Sequence, residues 1–213
     1  MNRSDISIGD IVIRAEREDD RREVENLIRE AFWNVYRPGC REHYLITVLR
    51  GDPAFVWELD LVMEAGGRII GQNVFAEAVI EAGSGENVKV LTMGPICVSP
   101  ELQRMGLGKR LLDFSLDRAA SLGYGAVLIE GNIAFYGKSG FVPAAGLGIR
   151  YNDLPADADT PFFLCRELTP GYLSGVTGAY RTPECYYVSG EDAERFDRSF
   201  PPKEKLKLPG QLE

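Results

Sequence analysis

The spacing of hydrophobic residues changes several times along the chain, and each change predicts a new strand or helix. Apolar residues that alternate or run on for a few positions predict strands, whereas apolar residues three and four positions apart predict amphipathic helices. In chain order, the predicted elements are a strand at 11–14, helices at 16–33 and 40–49, strands at 58–64, 68–80 and 88–98, a helix at 107–122, a strand at 126–130, a short helix at 132–140, and strand pieces at 141–142 and 162–167.

This order of elements, β-α-α-β-β-β-α-β-α-β, predicts the fold class. Three successive strands joined by glycine turns form an antiparallel meander, and the last of them begins a βαβ unit. We therefore expect an α/β (mixed α+β) protein with a mostly antiparallel central sheet flanked by helices. A chain of 213 residues is long enough for one such domain and a short extension.

The loop before the helix at 107–122 has the features of an anion site. It reads V-S-P-E-L-Q-R-M-G-L-G-K-R and brings Gly106 and Gly108 to the first turn of the helix. The first amides of a helix have no partner within it and lie at the positive end of its dipole, and glycines leave them open to approach. Arg104 and Lys109 add positive charge at the same place. A lone G-x-G is equally compatible with an ordinary turn from a strand into a helix.

Two other phosphate-binding motifs can be compared with this loop. A Walker loop is excluded, because Gln103 stands where its first glycine belongs and Arg110 stands where Ser or Thr should follow the lysine. A dinucleotide fingerprint needs a small residue where the chain has Leu111, yet Glu130 ends the next strand at about the separation expected of a ribose-binding acid. A nicotinamide or flavin enzyme therefore stays open at this point.

Charge balance and the few histidines and cysteines narrow the range of functions. The 32 acidic against 24 basic residues give a net charge of −8, which disfavours nucleic acid as a partner. The apolar runs are too short for a membrane span and the N-terminus has no signal-peptide pattern, so we expect a cytoplasmic protein. His43 is the one histidine in the sequence, which disfavours a zinc site, and we expect no metal. The four cysteines have no C-x-x-C spacing and should be reduced thiols.

Two motifs, one strand apart, together resemble a known family. The stretch Q-R-M-G-L-G resembles the Q/R-x-x-G-x-G/A signature of the GNAT superfamily of N-acetyltransferases, and G-N-I-A-F-Y-G-K-S-G-F is similar to that superfamily's asparagine helix with its tyrosine. The segment M-G-P-I-C-V-S-P is similar to a bacterial subgroup of predicted acetyltransferases. The resemblance spans residues 11–167, so we expect an N-acetyltransferase domain at 1–168. Residues 169–213 form an extension that should pack on or near the acceptor side and end in a loosely held tail.

The resemblance implies a reaction and its cofactor. Members of this superfamily move an acetyl group from acetyl-coenzyme A to a primary amine by direct attack in a ternary complex. Their fold implies that the strand ending at Val98 splays from the strand ending at Glu130, with the pantetheine arm in the gap and paired with backbone groups of Ile96 and Val98. The cofactor-binding residues implied in this way are Ile96, Cys97, Val98, Gln103, Arg104, Met105, Gly106, Leu107, Gly108, Lys109, Asn132 and Tyr136.

The candidate catalytic residues are Tyr136, which the resemblance implies, and Glu130, which is a candidate general base. Tyr136 matches the family's general acid position, and a phenol has a proton to give at neutral pH. Without the motif, a core aromatic residue beside Phe135 and Phe141 would be the simpler interpretation. Asn132 either contacts the cofactor or caps a helix, and the two roles are compatible.

The general base is less clearly indicated than the acid. Glu77 and Glu101 are candidates besides Glu130, and the family frequently uses a chain of water molecules instead. Cys97 lies in an apolar strand and is expected to be a buried small hydrophobe rather than an acyl carrier. His43 is expected to have a surface or packing role.

Acceptor specificity in this superfamily comes from the first helices and the C-terminal segment, which correspond here to residues 32–50 and 151–187. The acidic balance favours a cationic acceptor, either a small molecule or a peptide amine. An alternative is a module that holds acyl-coenzyme A as a regulatory ligand without turnover. The C-terminal segment is also a candidate surface for a homodimer. The aromatic residues considered as walls of an acceptor pocket are Trp33, Tyr36, Tyr44, Tyr172 and Tyr180.

Overall fold

The computed structural model describes residues 11–152, 154–155 and 157–212, which form one sheet of nine strands and five α-helices. The strands are β1 (Val12–Ala15), β2 (Leu61–Ala65), β3 (Arg68–Ala82), β4 (Asn87–Val98), β5 (Ala126–Glu130), β6 (Val142–Pro143), β7 (Ile149–Tyr151), β8 (Phe163–Glu167) and β9 (Gly178–Arg181). The helices are α1 (Arg21–Phe32), α2 (Glu42–Leu49), α3 (Leu107–Ser121), α4 (Ile133–Tyr136) and α5 (Gly190–Asp197).

The sheet is built around the long strand β3. Its main path runs β1-β2-β3-β4-β5-β8-β6, and all neighbours on this path are antiparallel except β4 and β5. The first half of β3 pairs with β2, and its last four residues pair with β9, which in turn pairs in parallel with β7. The predicted mixed sheet, mostly antiparallel and flanked by helices, is confirmed.

Helices cover both faces of this sheet, as the apolar stripes of the sequence predict. One face of α3 packs on β3, β4 and β5 through Leu112, Leu116 and Ala119. The opposite face of the sheet receives α1 and α2, whose buried residues include Leu27 and Ile46. Within residues 11–152, 154–155 and 157–212, no helix has the length and apolar character that a membrane crossing needs.

Several element boundaries differ from the sequence prediction. The strand predicted at 58–64 begins only at Leu61, because Trp57–Leu59 forms a turn of 3-10 helix. The strand pieces predicted at 141–142 and 162–167 are Val142–Pro143 and Phe163–Glu167. The strands β7 and β9 and the helix α5 had no counterpart in the prediction. They are three, four and eight residues long, and α5 buries only Ala193. Segments this short contain too few apolar positions for a strand or helix period to be recognised.

The C-terminal segment returns to the loop that follows α1. The indole Nε1 of Trp33 donates a hydrogen bond of 2.8 Å to the carbonyl of Glu204, and the amide of Leu212 donates one of 2.7 Å to the carbonyl of Tyr36. The strand β9 adds to the same sheet as the preceding strands. The domain boundary predicted at residue 168 stays a prediction.

A buried ionic cluster fastens α5 to α1 and α2. Arg29 of α1 is 2% exposed and donates from Nε to Asp197 of α5 at 2.6 Å. His43 of α2 is fully buried, with its Nε2 3.2 Å from the same carboxylate and its ring edge-on to Phe200. Burial lowers the pKa of His43 in spite of the neighbouring Asp197 carboxylate. The histidine therefore has the packing role that the sequence suggested.

We predict that Asp197→Ala destabilises the protein far more than Asp192→Ala on the same helix. Removing Asp197 leaves the buried Arg29 guanidinium without its carboxylate, which should cost about 3 kcal/mol or more. Asp192 pairs with Arg195 at 2.9 Å in an exposed position, so its loss should cost below about 1 kcal/mol. Urea unfolding of both variants measures the difference, and equal costs would contradict the anchoring role of the cluster.

Candidate functional site

A gap opens in the sheet where β4 and β5 part. Among the described residues, these two strands pair only at Leu91 with Val127 and at Thr92 with Leu128. Beyond Thr92, β4 continues to Val98 while β5 ends at Glu130. The edge of β4 from residue 93 onwards therefore faces a space between strands rather than a paired neighbour.

The register between β3 and β4 shows which backbone groups face this gap. The amide of Ser99 donates to the carbonyl of Ile70 at 2.8 Å, so this pair is hydrogen-bonded. Hydrogen-bonded and non-bonded pairs alternate in antiparallel strands, which makes the next pair, Gly71 with Val98, a non-bonded one. The N–H and C=O groups of Val98, and by the same alternation those of Ile96, therefore point away from β3. The carbonyl of Val98 accepts a hydrogen bond of 3.3 Å from the side chain of Gln103.

The start of α3 lies beside this edge and presents free amides. The first helical hydrogen bond runs from the amide of Arg110 to the carbonyl of Gly106 at 3.1 Å, and no side chain in the described part of the chain caps the helix. Gly106 has φ +83°, a left-handed conformation that favours glycine. A Cβ on Gly108 would lie 3.5 Å from the Phe135 ring and 3.8 Å from Val98, both ordinary van der Waals distances, so it would fit but would fill space beside the helix start.

The charges around this helix start are held by a short chain of contacts. The ammonium of Lys109 pairs with Asp113 one turn later, and Asp113 accepts a hydrogen bond of 2.6 Å from Ser139. Although burial alone would raise the pKa of the Asp113 carboxyl, the hydrogen bonds from Lys109 and Ser139 lower it. Gln103, Arg104 and Met105 are exposed, whereas Leu102 just before them is buried.

Three of the predicted cofactor residues turn their side chains into the core, namely Cys97, Val98 and Leu107. Cys97 is buried and packs with the residues of α1 and α2, and burial raises its pKa to about 12, so the thiol is not a ready nucleophile. Leu107 is buried on the α3 side of the sheet. Only the main chain of these three residues is therefore open to a ligand. All four cysteines are free thiols in the structure.

Asn132 and Tyr136 frame the short helix α4 on the same side of the sheet as α3. Asn132 caps the helix, since its Oδ1 accepts a hydrogen bond of 2.9 Å from the amide of Ala134. The ring of Tyr136 lies edge-on to Phe141 at 5.6 Å and directly over Gly131, where a Cβ would be only 2.2 Å from the ring. Burial raises the pKa of the Tyr136 phenol, so it keeps its proton at neutral pH. No described residue forms a hydrogen bond with its hydroxyl.

Glu130 lies across the sheet from Tyr136. Ile129 packs into the core on the α3 side, and successive side chains of a strand alternate, so Glu130 points to the other face. Its Oε1 accepts a hydrogen bond of 2.6 Å from the hydroxyl of Tyr151 on β7. In the described ranges, no lysine, arginine or histidine pairs with this carboxylate.

The other two carboxylates considered as bases are engaged by cations. Glu77 accepts hydrogen bonds from Lys89 at 2.9 Å and from the hydroxyl of Tyr124 at 3.0 Å. Burial alone would raise the pKa of Glu77, but these two hydrogen bonds lower it overall. Glu101 forms an exposed ion pair with Arg68 at 3.3 Å.

Three of the aromatic residues considered for an acceptor pocket have structural partners. Trp33 holds the C-terminal segment, as described above. The hydroxyl of Tyr172 donates to the carbonyl of Lys89 at 2.7 Å, and its ring lies against Gly125, where a Cβ would be 2.1 Å away. Tyr44 packs against an aromatic ring of α5 at 5.5 Å.

Of the remaining two, Tyr36 is exposed and lies near enough to Tyr136 to contribute, after burial, to the raised pKa of that phenol. Tyr180 is buried on the face of the sheet opposite α3. The tyrosines near Tyr180 could not be identified from the sequence, because the short strands β7 and β9 bring them together. These residues are Tyr151, Tyr186 and Tyr187.

Two cavities lie elsewhere on the molecule. One of about 550 Å³ is lined by Trp57, Phe114 and Arg118, and one of about 340 Å³ is lined by Arg37, Arg41 and residues of α5. Neither is lined by the residues predicted to bind the cofactor or to act in catalysis, although Trp33, which was considered for an acceptor pocket, lines the second. The candidate site is therefore a strand edge beside a helix start rather than one of these cavities.

Comparison with known proteins places these features in a family. A sequence model of the acetyltransferase (GNAT) family matches residues 21–141. The uncharacterized N-acetyltransferase YhbS of Escherichia coli (strain K12) is 28% identical over 168 residues, which are 79% of this chain and 93% of that protein. The uncharacterized N-acetyltransferase YjhQ of the same strain is 28% identical over 106 residues, which are 50% of this chain and 58% of that protein.

Solved structures show the same fold. The crystal structure of the GNAT family N-acetyltransferase YhbS from Escherichia coli in complex with CoA superposes with a TM-score of 0.71 at 27% identity, over 83% of this chain and 91% of that one. A GNAT family acetyltransferase from Brucella melitensis in complex with acetyl-CoA has a TM-score of 0.66 at 22% identity, over 83% of this chain and 98% of that one. The second likeness concerns the fold alone.

We predict that Gly131→Ala displaces the Tyr136 ring. The new Cβ would stand 2.2 Å from the ring, well inside van der Waals contact, so the ring has to move by about 1 Å or more. Gly146→Ala is the matched control, because a Cβ at Gly146 meets nothing within 4 Å. Crystal structures of the two variants measure the ring position, and an unmoved ring in Gly131→Ala would contradict the packing described here.

Proposed function

The chain belongs to the acetyltransferase (GNAT) family, and from that premise we propose that it transfers an acetyl group from acetyl-coenzyme A to a primary amine. The observation that carries the proposal is the unpaired edge of β4 lying beside the open helix start of α3. One element offers amide hydrogen-bonding groups along a strand, and the other offers amides at the positive end of a helix dipole. In coenzyme A, the pantetheine arm would bond to the strand groups, and the pyrophosphate joined to it would bond to the amides of the helix start.

The residues around the gap fit coenzyme A in detail. Backbone groups of Ile96 and Val98 would pair with the pantetheine amides once the Gln103 side chain releases the Val98 carbonyl. The amides at residues 107–109 would hold the pyrophosphate, and Arg104 and Lys109 would add positive charge. The structure of YhbS, at 27% identity, was solved in complex with CoA, which supports the choice of cofactor.

The proposed reaction is direct attack of the amine on the thioester carbonyl. The C–N bond forms and the C–S bond breaks, and an acceptor that enters as an ammonium ion loses two protons in the process. Tyr136 gives its phenol proton to the departing sulfur and recovers one of the two, and Glu130 takes the other and passes it to solvent. The products are the amide, the free thiol and one proton.

The placement of the two side chains supports a ternary complex. Tyr136 lies on the α3 side of the sheet with an unengaged hydroxyl, and Glu130 lies on the opposite side at the same gap. An acetyl donor held along β4 would thus have the acid on one side and the base on the other. Glu130 is preferred over the other candidate carboxylates because no described cation neutralises it.

Two alternatives remain for comparison. A module that binds acyl-coenzyme A without turnover would use the same edge and helix start, and it differs in having no need for Tyr136 or Glu130. A dinucleotide-binding enzyme is disfavoured, because the sheet is mostly antiparallel and Leu111 is fully buried where the fingerprint needs a small residue. The cytoplasmic location and the homodimer stay predictions.

We predict that Tyr136→Phe lowers kcat by about tenfold or more while the affinity for coenzyme A stays within about twofold, because the hydroxyl acts only on the leaving thiolate. Release of free thiol with a panel of primary amines measures turnover, and calorimetry measures cofactor affinity. Tyr172→Phe is the matched control, since its hydroxyl bonds only to the carbonyl of Lys89.

Unchanged turnover in Tyr136→Phe would remove the acid role from this residue. If the unmodified protein binds coenzyme A but no amine in the panel accelerates thiol release, the binding module replaces the enzyme as the better account.

A further inference from the structure

Four tyrosines from the C-terminal half of the chain gather around Glu130, and we call them the tyrosine cluster: Tyr151, Tyr180, Tyr186 and Tyr187. The rings of Tyr151 and Tyr180 are stacked with their centroids 6.3 Å apart. Tyr180 also lies 5.1 Å from the ring of Phe163 in the core. The cluster therefore rests on a rigid part of the sheet.

Tyr186 connects the cluster to the gap between β4 and β5. Its hydroxyl donates a hydrogen bond of 3.0 Å to the carbonyl of Gly94, which lies on the part of β4 that β5 no longer accompanies. The cluster is thus adjacent to the edge along which the acetyl donor would lie. It approaches that edge from the face of the sheet opposite α3.

Asn152 holds the two halves of the cluster together. Its side chain accepts from the amide of Thr182 at 2.9 Å and donates to the hydroxyl of Tyr187 at 3.4 Å. This fixes the segment that carries Tyr186 and Tyr187 against the end of β7, next to Tyr151. Tyr187 itself is 61% exposed, so the cluster is open to solvent on this side.

The cluster surrounds a negative charge that the protein does not neutralise. Glu130 accepts one hydrogen bond, from Tyr151, and in the part of the chain that the structure describes it has no cationic partner. Burial first, and the Glu130 carboxylate in addition, raise the pKa values of Tyr151, Tyr180 and Tyr186. All three phenols are therefore neutral at pH 7, and the Glu130 carboxylate contributes to the shift of all three pKa values.

We propose that Glu130 and the tyrosine cluster form the acceptor site, and that it takes an organic ammonium ion with no carboxylate next to the amine. This inference rests on the proposed function and names its substrate class. A carboxylate and the faces of tyrosine rings both attract an ammonium ion. An acceptor that brought its own carboxylate would be repelled by Glu130, and among the residues that the structure describes no arginine or lysine is bonded to the cluster to receive that carboxylate.

In this arrangement Tyr151 is a positioning residue. Its hydroxyl donates a hydrogen bond to Oε1 of Glu130 and so fixes the orientation of the carboxylate. The other oxygen, Oε2, is then free to accept from the ammonium. Simple alkylamines, arylalkylamines and the free amines of peptides and amino acid amides fit the proposed class. Free amino acids do not.

Binding measurements test the proposal independently of turnover. Calorimetry on the complex with saturating coenzyme A would compare three matched pairs: phenethylamine with phenylalanine, tyramine with tyrosine, and glycinamide with glycine. In each pair that binds, the uncarboxylated amine should bind at least about tenfold more tightly. Glu130→Gln keeps the size and shape of the side chain but removes its charge. In this variant the preference for the uncarboxylated amine should fall below about threefold. The basicity of each amine is the same with both proteins, so the change in the ratio reports the Glu130 charge.

Tyr151→Phe tests the positioning role. We expect the KM for the amine to rise about threefold or more while the KM for acetyl-coenzyme A is unchanged, and Tyr172→Phe should change neither. Preferential binding of the free amino acids, an unchanged ratio in Glu130→Gln, or no binding by any pair would overturn the acceptor site. The proposed function would still stand if amines accelerated thiol release in the unmodified protein, so the two failures are distinguishable.

Discussion

The functional part of this molecule depends on a loss of pairing between two neighbouring strands. After Thr92 and Leu128, β4 and β5 separate, and the backbone groups of Ile96 and Val98 are left on an edge that no other strand of the described residues covers. Backbone polar groups need partners, and an internal strand edge without one is a binding surface for an extended ligand. The side chain of Gln103 engages one of these groups, which shows that the edge accepts hydrogen bonds from outside the sheet.

Everything else at the site is arranged about that gap. On the α3 side lie the open helix start, Gly108 beside the ring of Phe135, and the ring of Tyr136 over Gly131. On the other side lies Glu130, held by a tyrosine from a strand that belongs to a distant part of the chain. In the proposed function, the residues that act on the donor and on the acceptor therefore lie on the two faces of one sheet. The ionic cluster of Arg29, His43 and Asp197 fastens α5 to the helices that cover the acceptor face.

The sequence predicted the local features of the site well and its long-range features poorly. Gly106 and Gly108 predicted a helix start with free amides, because this property depends on neighbouring residues alone. The structure has such a start. The partner of Glu130 could not be predicted, since it comes from the pairing of β7 with β9, and each of these strands is too short to leave a pattern. The engagement of Glu77 by Lys89 and Tyr124 was likewise invisible, because it requires the register between β3 and β4 and the position of the chain after α3.

The most direct test is a crystal structure of the protein with coenzyme A. The account predicts pyrophosphate oxygens within about 3 Å of the main-chain nitrogens at residues 107–109, and pantetheine amides bonded to Ile96 and Val98 with the Gln103 side chain moved aside. Coenzyme A bound elsewhere, for example in the cavity lined by Arg37 and Arg41, with the β4 edge still free, would contradict it.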